Sequence, residues 1–133
     1  MALFLLDTNI ISDAIRNTRG PCAARIASLE PGSLCTSIIV AAELRFGAAK
    51  KGSAALSERV DLALAGLRVV PLDGDADVLY GDLRAALESR GQLIGANDML
   101  IAAHALALRR TLVIDNLREL KRVMELSTRN WRR

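Results

Sequence analysis

Short continuous apolar runs alternate along the chain with longer stretches in which apolar residues recur every three or four positions. The first run, Ala2 to Leu6, stops at the polar cluster Asp7-Thr8-Asn9. Such a run reads as a strand buried on both faces, with Asp7 delivered at its C-terminal end. Helical spacing then covers roughly residues 10–16 and 21–29, the second opened by Pro21 at a first helical position. After the Pro31-Gly32 break, Leu34 to Ser37 is a strand, and Ser37 or Thr36 can cap a helix through residues 38–50. Lys51-Gly52-Ser53 interrupts the pattern. A helix over residues 54–67, a strand over 68–72 and a long helix capped by Asp73 and running to about Arg90 follow. The last third places a turn at residues 95–98, a helix over 98–108, a strand at 112–114 and a helical turn near 117–123. Strands separated by helices of this length predict an α/β three-layer sandwich around a mostly parallel sheet, because parallel neighbours need long crossovers. One domain, residues 1–133, is the expectation for this length. In such folds the ligand site lies beyond the C-terminal ends of the strands, where Asp7 and the Asp115 region belong.

Most acidic positions need no special account. Asp73, Asp75, Asp77 and Asp82 occupy the first turns of a predicted helix, where carboxylates favour the dipole and water. Three others sit where solvation does not explain them. Asp7 ends the first apolar strand. Glu43 has Ile39, Val40, Phe46 and Gly47 as its helical neighbours, so it lies on an apolar stripe. Asp98 opens the apolar helix Met99 to Leu108. Each could be structural alone: Asp7 or Asp98 as a cap, Glu43 paired with an arginine. A cation accounts for all three at once, since an uncompensated buried carboxylate is costly. Oxygen-only ligands without cysteine or paired histidine suit Mg²⁺ or Mn²⁺. His104, alone in an apolar helix, reads as a core residue.

Composition narrows the field further. With 51% hydrophobic and 25% charged residues the chain reads as an ordinary folded protein, and no run approaches a membrane span. No secretory signal is expected, and Cys22 and Cys35 read as reduced thiols of a cytoplasmic protein. The net charge of +3 is unevenly spread, with eight basic residues against three acidic ones from Arg109 onward. That distribution suits a polyanion, whose phosphates Arg109, Arg110 and Arg118 could contact. Aromatic residues are scarce, which argues against an extended base-stacking platform.

The segments Leu5-Leu6-Asp7-Thr8-Asn9-Ile10, Ala42-Glu43-Leu44-Arg45-Phe46-Gly47, Asn97 to Ala105, Thr111 to Asn116 continuing to Arg118-Glu119, and Asn130-Trp131 occur in one order across the chain. In this it resembles the PIN-domain ribonucleases, and within them the VapC toxins of bacterial toxin-antitoxin pairs, above all the subgroup that cuts initiator tRNA in its anticodon stem-loop. The resemblance implies a parallel-sheet PIN fold and Mg²⁺- or Mn²⁺-dependent endoribonuclease activity. It implies catalytic roles for Asp7, Glu43 and Asp98, with Asp7 and Asp98 as metal ligands and Thr8, Asn9 and Asn97 supporting them. A VapB-type antitoxin, homodimerisation, and operator DNA reached only through the antitoxin are also implied. At the fourth acidic position Ile114 stands two residues before the aligned place, where the family has threonine, leaving Asp115 as the charged candidate for a fourth catalytic acid and Asn116, at the aligned place, as a supporting residue. Ala96 stands where the subgroup has proline. Two other readings remain: a PIN nuclease that processes RNA without being a toxin, and a non-catalytic α/β module such as a phosphoacceptor receiver domain. The last would need a second acid beside Asp7 and a lysine after a late strand.

Overall fold

The computed structural model describes residues 3–123 and 125–132. Ala2, assigned to the first strand by its apolar character, falls outside them. Five parallel strands form one sheet in the order β3-β2-β1-β4-β5. They are β1 (Phe4–Leu6), β2 (Leu34–Ser37), β3 (Arg68–Val70), β4 (Thr111–Val113) and β5 (Thr128–Arg129). Helices α1 (Thr8–Arg16), α2 (Pro21–Ser28), α3 (Ile38–Lys51) and α4 (Ala54–Ala65) pack against one another. Helices α5 (Ala76–Ser89) and α6 (Ala96–Leu108) form a second packed pair, and α7 (Leu117–Leu120) is a single turn after β4. This is the expected α/β architecture with a parallel sheet.

β1 occupies the centre, so Leu5 and Leu6 have no exposed surface, and their partners Cys35, Leu112 and Val113 have none either. The strand order reverses between β1 and β4, since the chain builds outward through β2 and β3 before returning to β1's other side. A crevice opens there at the C-terminal ends of the strands. Register brings these ends level: Leu6 pairs with Thr36 and with Val113, and the Asp7 amide donates to the Val113 carbonyl at 2.9 Å. Thr36 Oγ1 donates to the Leu6 carbonyl at 2.8 Å within the core.

Local signals placed most boundaries. Pro21 starts α2 at its first turn, and Ser37 rather than Thr36 caps α3, accepting from the Ile39 amide at 3.1 Å. Gly52 ends α3 in the left-handed conformation (φ 63°), and Ser53 caps α4. Three expectations need correcting. Asp73 does not cap α5: its carbonyl accepts from the Ala76 amide across a turn that needs Gly74 at φ 61°, and the helix begins at Ala76. Helix α6 begins at Ala96, two residues before Asp98. β5, two residues long, had not been foreseen, because its pairing with β4 is not encoded in any local period.

Candidate active site

Asp7 leaves β1 in an extended conformation and stands at the N-terminus of α1, only 4% exposed. It closes no capping hydrogen bond of its own. Burial pushes its carboxyl from 3.8 up to about 7. The nearby amides of Thr8 and Asn9 pull it down, less than burial and the charges of Asp98 and Glu43 raise it. Glu43, half-buried on α3, accepts a hydrogen bond from Thr8 Oγ1 to its Oε1 at 2.8 Å. Thr8 therefore meets both acids, Glu43 through its hydroxyl and Asp7 through its backbone amide. Asp98 lies in the first turn of α6, with its Oδ2 folded toward Gly95, where an added Cβ would sit 3.6 Å away. It stands three residues inside the helix, which removes its reading as a plain N-cap. Burial raises its pKa, and the charges of Glu119 and Glu43 add to the rise.

The structure thus brings Asp7, Glu43 and Asp98 into one electrostatic neighbourhood from three elements far apart in sequence. It adds Glu119 on α7. That residue lay in a segment singled out from the sequence but was given no role there. The only local hint was an acid one turn beyond the last core strand, which is too weak to distinguish it from a solvated one. Among the described residues none of these four acids has an ion-pair partner. Nor, among those residues, do three acidic, histidine or cysteine side chains already stand close enough to hold an ion. The donor set is nevertheless all oxygen, and an anion as buried as Asp7 with no cation beside it is what a divalent ion would relieve.

Asp115 is placed differently. Its two carboxylate oxygens are taken by Arg132 Nη1 at 2.7 Å and Asn130 Nδ2 at 3.4 Å, directed toward the chain's C-terminal segment. Asn9, Asn97 and Asn116 are exposed. Arg118, on α7 next to Glu119, is exposed at the same end of the sheet. Arg109 and Arg110 instead precede β4, at the opposite end. Arg110 Nη1 donates to the carbonyls of Phe4 and Ser33 at 3.3 Å each, and Arg109 ends α6 with φ 54°.

His104 is buried, with Nδ1 2.8 Å from Ser37 Oγ, and burial lowers its pKa. It belongs to the core, as its setting in an apolar helix implied. Cys22 and Cys35 are free and buried. Burial and Asp13 push the Cys22 thiol up to about 11, and Cys35 is raised by burial as well, so neither is poised as a nucleophile.

Beside Glu43 and Thr8 a cleft of about 220 Å³ runs between α1, α3 and α4, floored by Ile15, Leu44, Leu56 and Val60 and edged by Arg16 and Lys51. A second hollow of about 320 Å³, lined by Ile11, Ile15, Ile26, Leu62 and Leu67, continues from Ile15 across α1, α2 and α4.

Comparison with known proteins gives a consistent picture. The model of the PIN domain matches residues 4–126. The chain is 36% identical over 131 residues to ribonuclease VapC2 of Rickettsia felis, covering 97% of this chain and 98% of that one. It is 35% identical over 135 residues to the tRNA(fMet)-specific endonuclease VapC of Shigella flexneri, covering 98% and 99%. Among solved structures, VapBC2 from Rickettsia felis bound to a promoter DNA fragment superposes with a TM-score of 0.90 at 35% identity, covering 97% of this chain and 98% of that one. DNA-bound VapBC from Salmonella typhimurium gives 0.87 at 31%, covering 98% and 99%.

Proposed function

This chain belongs to the PIN-domain family and, within it, to the VapC ribonucleases, and from that premise we propose that it is a Mg²⁺- or Mn²⁺-dependent endoribonuclease whose reaction centre is Asp7, Glu43 and Asp98. The observation that carries the cation is the state of Asp7: a carboxylate 4% exposed, raised to about 7, with two further acids bearing on it. Asp7 and Asp98 would hold the ion, and Glu43 would complete its oxygen shell directly or through water. The ion, when bound, lowers the pKa of a water and offsets charge on the scissile phosphate during in-line displacement. The protein's own part is positional. Thr8 donates to Glu43 Oε1, which would leave Oε2 for the ion or its water. Asn9, Asn97 and Asn116 would supply neutral hydrogen-bonding groups, and Arg118 offers a phosphate contact that does not compete for the ion. Glu119 would add a further negative charge beside Asp98.

The substrate proposed is tRNA, with the initiator anticodon stem-loop as its target, in line with the name of the Shigella flexneri relative. The chain would act as a toxin that inhibits translation in the cytoplasm. Among the described residues no helix is long and apolar enough to cross a membrane. A VapB-type antitoxin is the proposed partner, since the similar structures are VapBC complexes. The hollow across α1, α2 and α4 and the cleft beside Glu43 share Ile15, and together they offer an apolar surface with Arg16 and Lys51 at its rim that suits an extended or helical segment ending in a basic group over the acids. Ile38 and Phe46, 45% and 67% exposed on α3, are available to a second copy in a homodimer. Operator DNA would be reached through the antitoxin.

Purified protein incubated with total tRNA, with Mn²⁺ or Mg²⁺ against EDTA, tests the reading. Discrete fragments that need both the ion and Asp7, and vanish in Asp7→Asn, are expected. No cleavage of tRNA or other RNA by antitoxin-free folded protein would point to a non-catalytic module. Growth arrest on expression, relieved by a neighbouring gene's product, separates a toxin from an RNA-processing nuclease.

A further inference from the structure

After β5 the chain turns back onto the molecule. Asn130 Oδ1 accepts the Arg132 amide at 2.9 Å, while its Nδ2 approaches the Asp115 carbonyl at 3.5 Å and Asp115 Oδ1 at 3.4 Å. Trp131 is buried edge-on against Phe4, ring centroids 5.2 Å apart, under the guanidinium of Arg25 at 5.7 Å. Arg132 then reaches two carboxylates at once, Asp115 Oδ2 through Nη1 at 2.7 Å and Asp13 Oδ1 through Nε at 3.5 Å.

Those two acids belong to the two elements that must be held relative to each other. Asp13 lies on α1, the helix that Asp7 and Thr8 begin. Asp115 lies in the turn from β4 to α7, four residues before Glu119. One guanidinium therefore bridges the helix that follows Asp7 and the turn that leads into α7, where Glu119 lies. The other ion pair among the described residues, Arg45 with Asp61, ties α3 to α4 instead. The two carboxylates are largely covered, the Asp13 side chain 13% exposed and that of Asp115 27%, while the Arg132 side chain that joins them is 39% exposed. A planar guanidinium can present separate edges to two carboxylates, whereas an ammonium is a single point of charge. Both oxygens of Asp115 are thus engaged by the C-terminal segment.

We propose that Arg132 is a positioning residue which, by holding Asp13 and Asp115 together, sets the placement of Glu119 relative to Asp98, and through it the affinity of the acidic site for a divalent cation. Asp115 is then part of this clamp and not a ligand. The affinity part rests on the cation reading above, while the clamp itself does not.

The full-length protein and its Arg132→Ala, Arg132→Lys and Asp115→Asn variants provide the test. In metal-free hydrogen exchange, Arg132→Ala and Asp115→Asn should exchange faster over residues 115–120 with β1 and α6 unchanged, and Arg132→Lys should fall between. Calorimetric titration with Mn²⁺ should show about 10- to 100-fold weaker binding for Arg132→Ala. Arg132→Lys should recover only part of it, and Arg132→Ala/Asp115→Asn should be no weaker than Arg132→Ala alone, as for two members of one contact. Unchanged exchange over 115–120 in Arg132→Ala overturns the clamp, and unchanged Mn²⁺ affinity with altered exchange overturns its coupling to the site. Loss of Mn²⁺ binding in Asp115→Asn as complete as in Asp7→Asn would make Asp115 a ligand. Wild-type protein that takes up no Mn²⁺ refutes the cation reading, and with it the affinity part, leaving exchange to decide the clamp.

Discussion

Asp7 stores an electrostatic cost that the fold tolerates for the sake of the site. Its pKa in the folded chain, about 7, lies above the 3.8 of an ordinary aspartate. The native state therefore binds the proton more tightly than the unfolded chain does, and stability is lost as pH rises from about 4 through 7. Asp98 shifts in the same direction. In metal-free thermal melts Asp7→Asn should exceed wild type in Tm by several degrees at pH 8 and by much less at pH 4.5. Mn²⁺ should raise the wild-type Tm more at pH 8 than at pH 5, and equal gains at both would argue against a carboxylate-held ion. His104 works with the opposite sign: its lowered pKa costs stability as pH falls below 6.5. Comparing variant with wild type at each pH cancels that contribution. Thr8 makes a second residue-scale case. Thr8→Val keeps the volume but releases Glu43, so cleavage should fall on the order of 10-fold, with Thr8→Ser recovering it and Tm little changed.

At the scale of elements, the boundaries read best were those enforced by one residue's chemistry. Ser37 is the clearest: its hydroxyl accepts from Ile39 at the start of α3 and also meets His104 Nδ1. Ser37→Ala loses both at once, and urea unfolding should report a loss of about 2–3 kcal/mol, more than a cap alone supplies. Gly52 and Pro21 were legible for the same local reason. Asp73 misled because an acid before a helical stretch resembles a cap, although Gly74 at positive φ delays α5 until Ala76. Asp98 misled in the other direction. Its helix takes in Ala96 and Asn97, which left its carboxylate free of capping duty.

The whole molecule decides what joins the site. Trp131 and Phe4, at opposite ends of the chain, complete the core beneath β1, and Trp131→Ala should cost about 3–5 kcal/mol in chemical denaturation. Sheet topology also separates the basic residues that composition had grouped. Arg118 stands at the acidic end, whereas Arg109 and Arg110 stand at the far end of β4. Arg118→Ala should therefore raise KM for RNA and flatten its salt dependence by roughly 0.7 in the log–log slope. Arg109→Ala should change KM far less, and equal effects would place RNA along the whole edge of the sheet.

The sequence by itself determined the α/β alternation, the central buried strand, most helix ends and three carboxylates in positions that solvation could not explain. These depend on neighbours within about four residues, which a linear pattern records. Tertiary structure alone decided that β5 pairs beside β4, that the Thr8 hydroxyl holds Glu43, that the charge of Glu119 bears on Asp98, and that Arg132 closes on Asp13 and Asp115. Each of these joins residues that are distant along the chain or ambiguous in local period. They meet only after the strands dock in register, because a carboxylate's role is set by which charge and how much water surround it, and both are properties of the folded molecule.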